Sequence, residues 1–339
     1  MGVDECSLAG LKSTIDINSS GTEIIRAEVG LPSIVLKNRS YNCCRVKEDE
    51  VIIMRRFAMA RPHIEFLHAQ QLPWETGRYV SFGDARIKTL SEDNETGACT
   101  LIVRYPPGWR CAKIGYFPSD LEFYVLDGAM TINGQDFTLD CYAYFPSGFI
   151  WDSAATDTGV DLLFYLEGPP DFIHGRPAPG QFDVSHAVPF LNTHDIPFTQ
   201  DGVDPDYEWF GMSKKVLRHN PLTQAGTFMV EMPPQRHRPD WTGPTELHEC
   251  VEELFLLSGD LHCPYGIFHA GMYLYRPPNI RHGPFYTRFG SVMLGRVDGL
   301  MENNFSESTV DMPLYTSHKP VLPKHLSALA RVPYKPKLY

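Results

Sequence analysis

No lysine- or arginine-rich run longer than a pair occurs in this chain, no CxxC pair occurs among its cysteines, and no apolar stretch approaches the ~20 residues needed to span a bilayer. Each absence removes a class of function. A net charge of −11 without a basic run argues against nucleic acid or an anionic membrane as main partner, because both are bound through clustered cations. The eight cysteines, at 6, 43, 44, 99, 111, 141, 250 and 263, have no regular spacing. In a chain of 339 residues they read as reduced, mostly buried thiols rather than a disulfide framework. The opening MGVDECSLAGLKSTID carries acids where a signal peptide needs positive charge and an apolar core, and Gly2 lacks a Ser or Thr at position 6 for myristoylation. A cytosolic protein is the expectation.

What is abundant is punctuation. Twenty-eight prolines and 27 glycines spread through a 43% hydrophobic chain suit many short strands joined by turns. The chain also repeats. KTLSEDNETGACTLIVRYPP (Lys88–Pro107) aligns without a gap on KVLRHNPLTQAGTFMVEMPP (Lys215–Pro234) at an offset of 127. LEFYVLDG (Leu121–Gly128) aligns on EELFLLSG (Glu252–Gly259) at 131, an offset that also carries Tyr142, Tyr144, Pro146 and Gly168 onto Tyr273, Tyr275, Pro277 and Gly299. Two copies of one module follow, differing by four inserted residues. Each copy lacks a long segment of 3.6-residue period; its short β-branched or aromatic runs, bounded by Gly, Pro, Asn or Asp, read as strands, with Asn133-Gly134 as a hairpin turn. A duplicated antiparallel barrel or jelly roll is the predicted, all-β fold.

The chemistry concentrates in TELHECVEELFLLSGD (Thr245–Asp260), where acids, an imidazole and a thiol crowd just before an apolar run. Unpaired charges beside a core strand are costly, so either the segment is a solvated hairpin end or it holds a metal. Residues two apart on a strand share a face, so Glu246 and His248 can look into one barrel. Cys250 shares that parity but sits in the turn.

Each module resembles a cupin, whose first motif runs HxH, three or four residues, Glu, six residues, Gly, and whose second places a His after a Pro turn. With Gly259 as the motif glycine, the resemblance implies Glu246, His248 and Glu252 as ligands, with His282 of RPPNIRHGPF as the fourth; the first histidine of HxH is a glutamate here. The spacing is similar to the zinc-binding cupin domain of some bacterial anti-sigma factors, and phrases such as HGPFYTRFGSVMLGRVDG resemble a broader set of uncharacterised bacterial cupin proteins. Expected is an all-β bicupin of two tandem barrels: an N-terminal extension or arm over 1–68, a metal-free barrel over 69–185, a metal-binding barrel over 186–305 and a tail over 306–339. One divalent metal per chain is expected, Fe(II) first, with Mn(II), Ni(II) or Zn(II) open, since imidazole and carboxylate suit all four.

Subtracting 131 from the four ligand positions gives Gly115, Phe117, Leu121 and Trp151, none of which can bind a metal. Glu246 is read as ligand or as acid–base group. Arg281 and Tyr275 are the further catalytic candidates, Arg281 as a clamp on a substrate carboxylate; a solvent-facing Arg281 and a packing role for Tyr273 and Tyr275 fit as well. Arg276 and Arg288 also surround His282. His237, between Arg236 and Arg238, could gate the site or bind an anion from an exposed loop, while His262 and His269 read as satisfied barrel residues. The resemblance implies a metal-dependent oxidoreductase, foremost an iron dioxygenase for a small oxygenated or aromatic molecule. A lyase, isomerase or hydrolase, and a zinc sensor without catalysis, stay open. Chains are expected to pair at least as homodimers.

Overall fold

The computed structural model describes the strands 13–17, 23–28, 42–47 and 50–55 and residues 61–79, 82–111, 113–236, 243–307 and 320–331. His237 and Arg238 lie outside the described residues. Among the described residues, no helix is long and apolar enough to cross a membrane.

Residues Met1–Met59 form a unit of their own. Within the expected N-terminal extension or arm, EIIRAE and EVIIMR are strands: Glu23–Glu28 pairs with Ser13–Ile17 on one side and with Glu50–Arg55 on the other, and Asn42–Lys47 closes a four-stranded antiparallel sheet.

The second unit, Ala60–Tyr339, holds the repeat, and the offsets found in the sequence are the offsets of the strands. Leu121–Ile132, Cys141–Phe145 and Val160–Leu166 recur 131 residues later as Glu252–Cys263, Met272–Arg276 and Ser291–Val297. Arg86–Glu92 and Cys99–Tyr105 recur 127 later as Ser213–His219 and Gly226–Met232. The motif glycine recurs too. Gly128 and Gly259 both have positive φ, and a Cβ on either would collide with the carbonyl oxygen of Gly159 or Gly290 on the neighbouring strand. Only glycine allows that approach.

Period-two alternation sorts the side chains into three cores. Leu121, Phe123 and Val125 face the interior of the first barrel, and Leu254, Leu256 and Leu274 that of the second. The intervening residues, among them Tyr124, Tyr142, Phe255, Tyr273 and Tyr275, meet in one buried layer between the barrels. Glu122 and its repeat partner Glu253 lie in that layer and obey its pseudo-symmetry. Glu122 accepts from Tyr142 Oη at 2.6 Å and from Thr227 of the other barrel, while Glu253 accepts from Tyr273 Oη at 2.5 Å and from Thr100 of the other barrel. Arg296 bridges the two carboxylates at 3.0 and 3.4 Å, so the buried acids are paired.

The barrels also exchange strands. Ile64–His68, expected in the N-terminal extension, pairs with Met272–Arg276 and forms the edge of the second barrel's sheet. Val188–Asn192, expected in the second barrel, pairs with Cys141–Phe145 of the first. Boundaries at 68/69 and 185/186 therefore separate each of these strands from the sheet it completes. Alternation sets which face of a strand is buried, not which sheet it joins. In the C-terminal segment, Val321 exchanges backbone hydrogen bonds with Glu65 at 2.6 and 2.8 Å, covering the outer side of the exchanged strand. A short 3-10 helix, Lys324–Arg331, follows. The five cysteines described in this unit are free thiols, four of them buried.

Candidate metal centre

Glu246 and His282 face each other directly: each backbone N–H donates to the other residue's carbonyl, at 2.9 and 3.0 Å. His248 lies two residues beyond Glu246, and its carbonyl accepts from Asn279 N at 2.7 Å, which ties it to the turn ahead of His282. The result is a buried group in which one donor atom from each of Glu246, His248 and His282 lies within 4.8 Å of the others. Among the described residues it is the one such group.

The bonding around the group decides what it can hold. His282 Nδ1 stands 2.8 Å from the Ile280 carbonyl and His248 Nδ1 3.4 Å from the Glu302 carbonyl. A carbonyl only accepts, so both Nδ1 atoms carry a proton, and in the neutral imidazoles that a metal requires both Nε2 atoms present a lone pair. Such an outer hydrogen bond is how proteins orient metal-binding imidazoles. His282 Nε2 lies 3.1 Å from Glu246 Oε1 and 3.5 Å from Glu252 Oε2, but makes a hydrogen bond to neither. Glu246 Oε2 is likewise buried without a partner. Buried polar atoms are rarely left so, and two orphans of opposite protonation preference, converging with a second imidazole, fit a divalent cation.

Glu252, the fourth expected ligand, is placed beside the group but held from behind. It points inward, as its parity requires, and accepts from Arg276 Nη1 at 2.5 Å. Arg276 in turn donates Nε and Nη2 to Glu65 at 2.6 and 3.0 Å, and Glu65 comes from the exchanged strand. All three are buried. Burial opposes ionisation of Glu252, but Arg276 and then the two histidines outweigh it and hold the carboxyl down at about 2. Glu65 is lowered in the same way, against burial, by Arg276 and His63. Arg276 is therefore engaged on both sides and does not present a free clamp. Neither Glu65 nor its role was signalled locally: its partner is 211 residues away. A lone acid inside the apolar strand IEFLH was the available hint.

The other candidates fall elsewhere. Arg281 is exposed and donates to Ser306 Oγ at 2.8 Å and Thr245 Oγ1 at 3.3 Å, outside the barrel. Tyr275 lies in the layer between the barrels, on the strand face opposite Arg276, with Arg61 stacked 5.4 Å from its ring. The structure brings neither to Glu246. Cys250 is buried outside the group, and its thiol is pushed up to about 12 by burial and by Asp298 and Glu252, so it stays protonated. His262 donates to Asp260 at 2.8 Å and stacks on Tyr286, a satisfied barrel residue as read from the sequence.

A cavity of about 370 Å³ opens within the second barrel. Glu246, Glu252 and Arg276 line it, and most of the remaining wall is apolar, including Phe228, Leu254, Phe285 and Met293. The first barrel has no equivalent group among the described residues. Gly115 pairs with Trp151 in the register that Glu246 and His282 repeat. Phe117 packs edge-on against Trp151 and Phe172 at 5.8 and 5.2 Å, and Leu121 is fully buried beside them. Aromatic rings occupy the volume that polar donors border in the second barrel.

Comparison with known proteins agrees with this architecture. The family of ChrR cupin-like domains matches residues 64–170 and again 190–298, each match starting in or at an exchanged strand. No curated protein matches the chain. Among solved structures, a protein of Nostoc punctiforme described as a candidate dioxygenase is 19% identical with a TM-score of 0.60, over 70% of this chain and 83% of that one. Oxalate decarboxylase of Bacillus subtilis is 16% identical with a TM-score of 0.42, over 71% and 78%. Salicylate 1,2-dioxygenase of Pseudoaminobacter salicylatoxidans is 13% identical with a TM-score of 0.43, over 59% and 70%. At 19% identity the likeness to the Nostoc protein is one of fold.

Proposed function

The chain belongs to the family of ChrR cupin-like domains, which it carries twice, and from that membership we propose that it is a metal-dependent bicupin enzyme whose second barrel is a non-haem iron dioxygenase for a small oxygenated or aromatic molecule. One observation carries the reading: two imidazoles with Nδ1 tied to carbonyls, that of His282 with its buried Nε2 left over, converge with an orphan carboxylate oxygen at the border of an apolar cavity. Two imidazoles and one carboxylate on one face, with other positions open, form the donor set of non-haem Fe(II) oxygenases. A divalent ion held by Glu246, His248 and His282 would supply Lewis acidity and, as iron, one-electron chemistry with dioxygen. The protein supplies the rest. Ile280 and Glu302 carbonyls fix the two rings, Arg276 keeps Glu252 ionised and in place, and Phe228, Leu254 and Phe285 exclude water around the bound molecule.

A second reading is a lyase, isomerase or hydrolase in which Glu246 moves a proton on the substrate; its orphan Oε2 and its place in the cavity wall favour it. A closed four-ligand zinc sensor has less support, because the fourth donor is engaged by Arg276. The test is elemental analysis of the full chain purified without oxygen or added metal, followed by oxygen uptake over a panel of small aromatic and oxygenated compounds. Iron with substrate-dependent uptake supports the dioxygenase. Metal-dependent turnover without uptake moves the assignment to the second reading, and zinc with no turnover on any compound overturns both.

A further inference from the structure

The cavity wall contains one cation that the metal-centre network leaves unused. Lys214, on the strand Ser213–His219, lines the same cavity as Glu246, Glu252 and Arg276. Its backbone is pinned by reciprocal hydrogen bonds with Thr199 at 2.7 and 3.0 Å. Its neighbour Lys215 points to the other face and donates to the Thr193 carbonyl at 2.8 Å. Lys214 Nζ has no such partner: among the described residues no carboxylate or carbonyl accepts from it, and its contact is the Phe228 ring, 4.5 Å to the centroid. The rest of the wall is largely apolar and rich in polarisable sulfur, with Met212, Met232, Met293, Met301, Phe228 and Phe305; its third carboxylate, Asp204, accepts from Asn303 Nδ2 at 2.7 Å.

A half-buried ammonium in such a wall lacks what it most needs, an anion. Burial alone lowers its pKa, in keeping with a charge that has no counter-charge. Arg276, the other cation of the wall, is already held by two carboxylates and cannot serve a ligand as well. A volume of about 370 Å³ suits a molecule of modest size. We propose that the second barrel binds an apolar carboxylate, a molecule with one carboxylate and an aromatic or branched hydrocarbon body, whose carboxylate pairs with Lys214 while its body fills the Phe- and Met-lined space that Glu246 borders. What then happens to the bound molecule rests on the metal-centre reading; the binding does not.

The experiment uses the full chain and four matched pairs: phenylacetate, cinnamate, 2-naphthoate and octanoate, each against its primary amide, titrated by calorimetry with and without metal. At least one carboxylate is expected to bind roughly tenfold or more tightly than its amide, as one charge-assisted pair in a water-poor site implies. Lys214→Met should bring that ratio to about one while leaving the amide's affinity unchanged, and Lys214→Arg should restore it, which separates loss of charge from misfolding. Carboxylates and amides that bind alike in the wild type, or a preference that survives in Lys214→Met, overturn the proposal. A Lys214-dependent preference in a chain that retains no metal would refute the metal centre alone, and a metal-loaded chain with no preference would refute this inference alone.

Discussion

Replacing Arg276 by Met tests the buried chain of charges that runs from the exchanged strand to the candidate metal centre. In the native chain one guanidinium compensates two buried carboxylates, Glu65 through two hydrogen bonds and Glu252 through one at 2.5 Å. Methionine keeps most of the volume and removes all compensation. Removing one partner of a buried ion pair costs about 3–5 kcal/mol, because a desolvated charge is left alone. The displacement of Glu252 from its ordinary 4.5 to about 2 gives a similar figure, about 3–4 kcal/mol at about 1.4 kcal/mol per pKa unit, of which Arg276 supplies the largest favourable share and the two histidines the rest. In urea with a chelator present, at pH 7, the midpoint of the second barrel should fall by roughly 1–2 M for a slope of ~2–3 kcal/mol/M.

The sign of the pH dependence follows. Both carboxyls are depressed in the folded state, so the stability they contribute is complete above the ordinary carboxyl range near pH 4.5 and is lost as pH falls through their folded values, near 2 for Glu252. The gap between Arg276→Met and wild type should therefore be widest near neutrality and shrink in acid, where the variant's carboxyls protonate. Arg78→Met is the control, since Arg78 pairs with Glu75 and Glu92 at a part-exposed surface and should cost less than about 1 kcal/mol. A loss below 1 kcal/mol for Arg276→Met at pH 7, or an equal loss at pH 3, would refute the reasoning.

Other outcomes are expected. His282→Ala and His248→Ala should each strip metal from the purified chain by elemental analysis, whereas Trp151→Ala should keep it while costing about 3–5 kcal/mol of packing; two metals per chain would contradict the asymmetry between the barrels. Glu246→Gln should weaken metal retention if Glu246 is a ligand, the outcome favoured here; full metal with collapsed turnover would make it the proton-transfer group, and full metal with full activity a bystander. Chains are expected to associate at least as dimers, and a compact monomer by light scattering at micromolar concentration would remove that expectation.

Much of this architecture could be read from residue order alone, for reasons that particular residues make plain. Gly128 and Gly259 mark the repeat because a close strand crossing admits no side chain there, and the gapless 131-residue offset survives because three strands and their turns have to keep register. His248 and His282 were singled out through the cupin resemblance, and the structure brings them together with Glu246, His248 by strand parity and His282 by facing it across a bridge. Parity also explains the misplacement of Tyr275: it alternates with Arg276, so it leaves the cavity as Arg276 enters it. What stayed hidden is long-range. No feature of IEFLH names Met272–Arg276 as its partner, and so neither the exchange of strands nor the Glu65–Arg276–Glu252 chain had a signature within any window of neighbouring residues.

The exchanged strands also impose an order on synthesis. Val188–Asn192 leaves the ribosome soon after Cys141–Phe145, its sheet partner, so the first barrel can close as soon as it is made. Ile64–His68 is among the first parts of this unit to emerge, yet its partner Met272–Arg276 follows roughly two hundred residues later. At ~5–20 residues per second that is a wait of roughly 10–40 s, during which an apolar ribbon carrying a bare glutamate has no mate in its own half of the chain. The nascent front end thus stays an open strand until the back end is nearly complete, the condition under which chaperones and neighbouring chains compete for it.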